Sequence, residues 1–152
     1  MSRRERTGFS LIELMIVLLI ISTLLGIGLP AYANLRRHAI AVQAAADLRA
    51  IRAAAVAEYD VTGQIAPPGV AGVVPAGMAP YLPHGFTFSR LDYQLTWMGD
   101  VPVFPSSNGV VAVQVPDPTL LAEIDREVGA TCWHTTVGSV GVYDVLQTTL
   151  EP

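Results

Sequence analysis

The sequence predicts an α+β fold: one long N-terminal helix, transmembrane in its first half, with its second half packed on a small antiparallel β-sheet. Three observations carry this expectation. From Leu14 to Leu35 the chain contains no charged side chain, and as a helix that stretch gives about 33 Å, enough to cross a hydrocarbon core. From Arg36 to Tyr59 the chain continues in strong helix formers, many of them alanine, and nothing between Leu35 and Glu58 would end a helix. Beyond Gly85 the period changes to two, in short runs where apolar and polar residues alternate.

The helix is expected from about Ser10 to Asp60, with Gly63 as its stop signal. Leu48, Ile51, Ala55 and Tyr59 recur at spacings of three and four, marking the stripe that faces a core. Gln43, Asp47, Arg49, Arg52 and Glu58 fall mostly off that stripe. Pro30 lacks an amide donor and closely follows Gly26 and Gly28, so a kink or a locally melted turn is expected there. The stretch from Gln64 to Gly85 then holds five prolines and four glycines, a composition that forbids a long helix or a central strand. It reads as a loop lying over another part of the domain, with one short helical turn near Met78 to Tyr81.

In the remainder, Leu91, Tyr93, Leu95 and Trp97 alternate with Asp92, Gln94 and Thr96, the pattern of a half-buried strand. Val110 to Val115 is a second strand. Asp117-Pro118 opens a helix with a capping acid and a first-turn proline; Leu120, Leu121, Ile124 and Val128 form its apolar face, and Gly129 ends it. Thr131 to Val137 and Val142 to Leu146 are the expected last strands.

Charge and side-chain chemistry exclude several function classes. The net charge is −4 and all nine basic residues are arginine. Arg3, Arg4 and Arg6 precede the apolar run; Arg36, Arg37, Arg49 and Arg52 follow it. Beyond Thr62 there are two arginines, Arg90 and Arg126, against eight acids, a net −6, which argues against a broad nucleic-acid-binding face. The arginines between Arg36 and Arg52 read as headgroup contacts and a solvated helix face. Cys132 stands alone and reads as a small apolar strand residue. His38, His84 and His134 are scattered. Cys132 and His134 would share one strand face, which a core fills without chemistry. No catalytic residue and no cofactor is therefore assigned. Asp117, Glu123, Asp125 and Glu127 read as the solvated face of a capped helix and lack the spacing of a calcium loop, so no metal ligand is assigned.

One residue stands out against its surroundings. Glu13 lies near the start of an otherwise apolar segment, and an ionisable group there is costly unless paired, which marks it as functional. The run Gly8-Phe9-Ser10-Leu11-Ile12-Glu13, continued by Leu14-Met15-Ile16-Val17 and then Leu29-Pro30-Ala31-Tyr32, resembles the processing and methylation motif of type IV pilins and type II secretion pseudopilins. The resemblance covers roughly residues 1 to 40. It implies a pilin-like fold, cleavage after Gly8 by a prepilin peptidase on the cytoplasmic side, N-methylation of Phe9, a role for Glu13 in filament assembly, and a helix loosened at Pro30 so that subunits can bend and pack.

The partners it implies are the prepilin peptidase, other pilin or pseudopilin subunits, an inner-membrane assembly platform and membrane lipid. It also implies a division into a cleaved basic leader (1–8), a transmembrane and assembly helix (9–35), an amphipathic continuation of that helix (36–62) and a periplasmic or extracellular globular domain (63–152). Before assembly the chain would cross the inner membrane once with its N-terminus cytoplasmic; afterwards it would belong to a periplasmic or cell-surface filament. Physical chemistry gives the glutamate a reason. Cleavage creates an amine at Phe9, about 6 Å along the helix axis from Glu13. The carboxylate can meet that charge and the first-turn amides of its own chain, or the amine of a neighbour displaced by about one turn. In a low dielectric the pair is favoured over either charge alone, so pairing sets the axial register.

Two rival readings use the same residues. Arg3-Arg4, the apolar run and Ala31-Tyr32-Ala33 resemble a secretory signal whose cleavage would release a soluble domain from Asn34. Against this, Glu13 interrupts the apolar region and the helix pattern runs past the supposed cut. An uncut single-span anchor is the other. Within the superfamily, a single cysteine leaves no room for the two-cysteine C-terminal loop of many adhesive pilins, and the calcium loop of major secretion pseudopilins has no counterpart. A tip pseudopilin typically lacks the glutamate. These features favour a pseudopilin-like or noncanonical pilin subunit within the shaft or below the tip, with a minor pilus subunit as the close second.

Overall fold

The computed structural model describes residues 9–99, 101, 109–129 and 134–146. In chain order they form α1 (Leu11–Thr62), one 3-10 turn (Ala79–Tyr81), β1 (Gln94–Gly99), β2 (Val110–Gln114), α2 (Pro118–Val128), β3 (His134–Val137) and β4 (Val140–Asp144). The fold is the expected α+β arrangement of a long N-terminal helix and a small antiparallel sheet, with strand order β1-β2-β4-β3. Contacts divide the chain into two compact units, one ending at Arg36 and one beginning at Arg37.

In the first unit, every residue from Phe9 to Arg36 is exposed. The hydroxyls of Ser22 and Thr23 donate to the carbonyls of Leu18 and Ile20 on the same helix, at 2.7 and 2.8 Å, which is how such groups are satisfied where no water is present. The helix is unbroken through Gly26, Gly28 and Pro30, so that turn is not melted.

The core of the second unit is built where α1 faces the sheet. Ala41, Ala44, Ala45, Leu48, Ile51, Ala54 and Ala55 pack with Leu95, Trp97, Val111, Val113 and Tyr143, and with Leu120, Leu121, Ile124 and Val128 of α2. Pairing of Leu95 with Val113, and of Trp97 with Val111 and thence Tyr143, places those side chains on one sheet face. Helix α2 begins and ends as its sequence requires. The Asp117 carboxylate accepts from the Thr119 amide at 2.9 Å, and Gly129 closes the helix at a φ of 64°.

Residues 64–85 form a strap. The Gly69 and Gly72 amides donate to the carbonyls of Trp97 and Leu95, both at 2.8 Å, and the Trp97 indole donates to the Ala66 carbonyl at 2.9 Å. Gly99 makes this approach feasible. Its φ is +68°, and a Cβ there would lie 3.1 Å from the Ala66 carbonyl oxygen and 3.2 Å from Pro68.

The structure corrects several expectations. The strand expected from Leu91 begins at Gln94, and Leu91 is 95% exposed. The Arg90 amide donates to the Tyr93 carbonyl, and Ser89 bridges Gln94, so residues 90–93 form a tight turn that throws Leu91 outward. Tyr59, expected on the core stripe, is 51% exposed, whereas Asp47 and Glu58, placed off it, are buried at 7% and 6%. The buried arc of α1 is wider than one stripe, and at its C-terminal end the strap crosses on the Glu58 side, where Gly77 meets that carboxyl group. Strand β4 starts at Val140, ahead of the expected Val142, because Gly138-Ser139 is a tight hairpin loop between Val137 and Val140. Residues 131–133 of the other expected strand, Cys132 among them, lie outside the described residues.

Candidate processing and assembly site

Ser10 immediately precedes α1, and Glu13 lies in its first turn. The Ser10 amide donates to Glu13 Oε2 at 2.9 Å, and the Ser10 carbonyl accepts from the Leu14 amide at 3.2 Å. This is half of a capping box: an acid in the first turn reaches back to an amide that the helix itself leaves unpaired. The sequence carries the signal, since Ser10-x-x-Glu13 at the head of an apolar run has the required spacing. Of the partners expected for Glu13, an amide at the head of its own helix is the one it meets here. The carboxylate is thereby held one residue from Phe9. Gly8 lies outside the described residues. Pro30 is helical and sits well along α1 from this cap.

Around that head the surface is apolar. Phe9, Leu11, Ile12, Leu14 and Met15 are all exposed, and the exposed apolar surface continues through Leu35. The helix is long and apolar enough to cross a membrane by length and composition. Exposure of this much contiguous apolar surface calls for lipid or protein to cover it.

In the second unit, the charged groups tie elements together. Asp47 accepts from Arg90 Nε and Nη2 at 3.0 Å each, and from the Tyr93 hydroxyl at 2.6 Å. The bond to Asp47 raises the Arg90 pKa, and burial followed by the Asp47 hydrogen bond raises that of Tyr93. The Arg90 guanidinium also lies 5.7 Å from the Phe86 ring centre. Between α1 and α2, His38 Nδ1 lies 3.4 Å from Glu123 and 3.5 Å from Glu127, and Arg37 donates to Thr119. Glu123 also pairs with Arg126, and the Tyr143 hydroxyl donates to Asp125. The α2 acids expected to form a solvated face are therefore half-buried, engaged groups.

His84 is exposed in the strap, and Cys132 is outside the described residues. Among the described residues no group of three or more His, Cys, Asp or Glu side chains could hold a metal ion. Sequence reasoning missed Asp47 with Arg90 and Tyr93, because the partners are distant in the chain and no local pattern links them.

Comparison with family models matches residues 3–29 to the prokaryotic N-terminal methylation motif. Neither the curated proteins nor the solved structures provide a match to the chain. The matched segment contains Gly8, Phe9 and the Ser10–Glu13 cap, and it extends along α1 as far as Leu29. At its N-terminus, then, this chain carries the hallmark of type IV pilin and pseudopilin precursors.

Proposed function

We propose that the chain is a structural subunit of a type IV pilus-like or type II secretion filament, with no enzymatic role. A prepilin peptidase cuts it after Gly8 and methylates the new N-terminus at Phe9, and the subunit then leaves the inner membrane through contacts of its N-terminal helix. The observation that carries this reading is the Glu13 carboxylate, folded back to the Ser10 amide at the head of an exposed apolar helix within the matched motif. Cleavage would set a cation beside a carboxylate already held in place. In a growing filament the same carboxylate can exchange its Ser10 amide for a neighbour's amine, a stronger partner in a low dielectric. Pro30 has no amide to offer its helix, so bending on packing costs least there. The acidic region beyond Thr62 speaks against DNA as a ligand.

Mass spectrometry of the protein recovered from membranes tests this. An N-methylated Phe9 start is expected; a start at Asn34 would establish a secretory signal, and an uncut start at Met1 or Ser2 a simple anchor. Glu13→Ala should leave cleavage intact while filament incorporation, followed by shearing and immunoblot, falls at least tenfold. Normal incorporation would overturn the assembly role.

A further inference from the structure

Two acids on α1 are buried, and their surroundings differ. Asp47 accepts three hydrogen bonds. Glu58, 6% exposed, has an Oε2 that is fully enclosed with no hydrogen-bond partner. It lies beneath the strap at Gly77, where a Cβ would come within 1.9 Å of Oε1. A side chain at Gly77 would occupy the place of the Glu58 carboxyl group and push it aside, so glycine here leaves the carboxyl room beneath the strap. On either side, Pro75 and Met78 are buried, and Met78 is wholly so.

Among the described residues, no compensating charge is near. One turn to either side on α1 stand Ala54, Ala55, Val61 and Thr62. The strap carries no charged residue, its ionisable side chains being Tyr81 and His84, both exposed. Strand β1 has none. Burial raises the Glu58 pKa above its ordinary value and is the one cause of the shift. A neutral carboxyl group can remain in such a place at modest cost, whereas a carboxylate without a partner demands water.

We propose that Glu58 is a proton-operated latch: protonated, it lies under a closed strap, and ionised, it releases the segment from Pro75 to Met78. The closed state binds the proton more tightly than the open one. Closure is therefore strongest below the ordinary glutamate range, weakens as pH rises through the raised value, and levels off above it. Release is local, because the strands of the sheet keep their own hydrogen bonds.

Hydrogen exchange of the full-length protein in detergent micelles between pH 4 and pH 8, corrected for the chemical exchange rate, tests this. Protection in peptides spanning residues 74–80 should fall about tenfold for each pH unit by which burial raises the carboxyl pKa, while peptides of β2 and β4 stay constant. Glu58→Gln should abolish that pH dependence. Gly77→Ala, whose methyl group displaces the carboxyl toward water, should abolish it too. In the wild-type protein, NMR of the Glu58 carboxyl carbon should show a titration that coincides with strap release. A flat wild-type profile, an unchanged profile in Glu58→Gln, or a Glu58 titration at the ordinary glutamate value would each overturn the latch.

Discussion

Asp47 shows how much one side chain can hold in this fold. It joins α1 to the turn before β1 through a two-pronged bond from Arg90 and a third from Tyr93, with Arg90 27% exposed at its side chain. Removing the acid leaves a mostly buried guanidinium and a buried phenol unpaired. Asp47→Ala should therefore lower stability by about 3 kcal/mol, the low end for a broken buried pair because Arg90 keeps some water. Denaturant unfolding of the full chain in micelles measures it, and a loss below about 1 kcal/mol would mean that the network adds little. Neither Asp47 nor Glu58 was legible as a core residue, although both fall in step with Ala44, Ile51 and Ala54 at spacings of three and four. An alanine-rich helix presents a broad apolar arc without a sharp boundary, so acids within that arc look as if they were outside it. Glu13 was legible, because a lone carboxylate in an apolar run contrasts with everything near it.

Among the elements, α2 was readable from end to end. Asp117-Pro118, the recurrence of Leu120, Leu121, Ile124 and Val128, and Gly129 all give the same boundaries, since cap, period and stop are local properties. The start of β1 was not, because the turn at Arg90 to Tyr93 is stabilised by pairing with Phe88 and Ser89 rather than by its own composition. The Asp117 cap has a pH signature. Hydrogen bonds from Thr119 hold its carboxyl below the ordinary aspartate range, so its contribution is complete above that range and fades as pH falls through the lowered value. Asp117→Ala should lower Tm at pH 7, and the difference from wild type should shrink toward zero as the buffer is taken down to about pH 2. An undiminished difference at low pH would show that the carboxylate is not the stabilising group.

For the molecule as a whole, the second half of α1 belongs energetically with the sheet. Ile51, Ala41, Ala44 and Ala54 are fully buried, and the core they enter is drawn from residues of the second unit. A chain beginning at Arg37 should be soluble and melt cooperatively, whereas one beginning at Gly63 should remain unfolded, having lost one wall of its core. Circular dichroism on the two fragments decides; cooperative melting of the shorter one would show that the sheet, strap and α2 suffice. The general architecture could be read from sequence because it follows from two changes of period and one apolar run. The strap's path could not, since prolines and glycines say where a chain cannot be regular without saying what it will touch.

That path bears on behaviour in a crowded solution. The amides of Gly69 and Gly72 occupy the carbonyls of Trp97 and Leu95 along the outer margin of β1, while the Leu95 amide donates to the Phe88 carbonyl. An open strand margin is a template on which foreign strands can accrete. With this one occupied by a segment that proline keeps from extending the sheet further, the margin cannot seed sheet-to-sheet aggregation. A lesion that freed the strap would first be noticed as turbidity, before any loss of the fold.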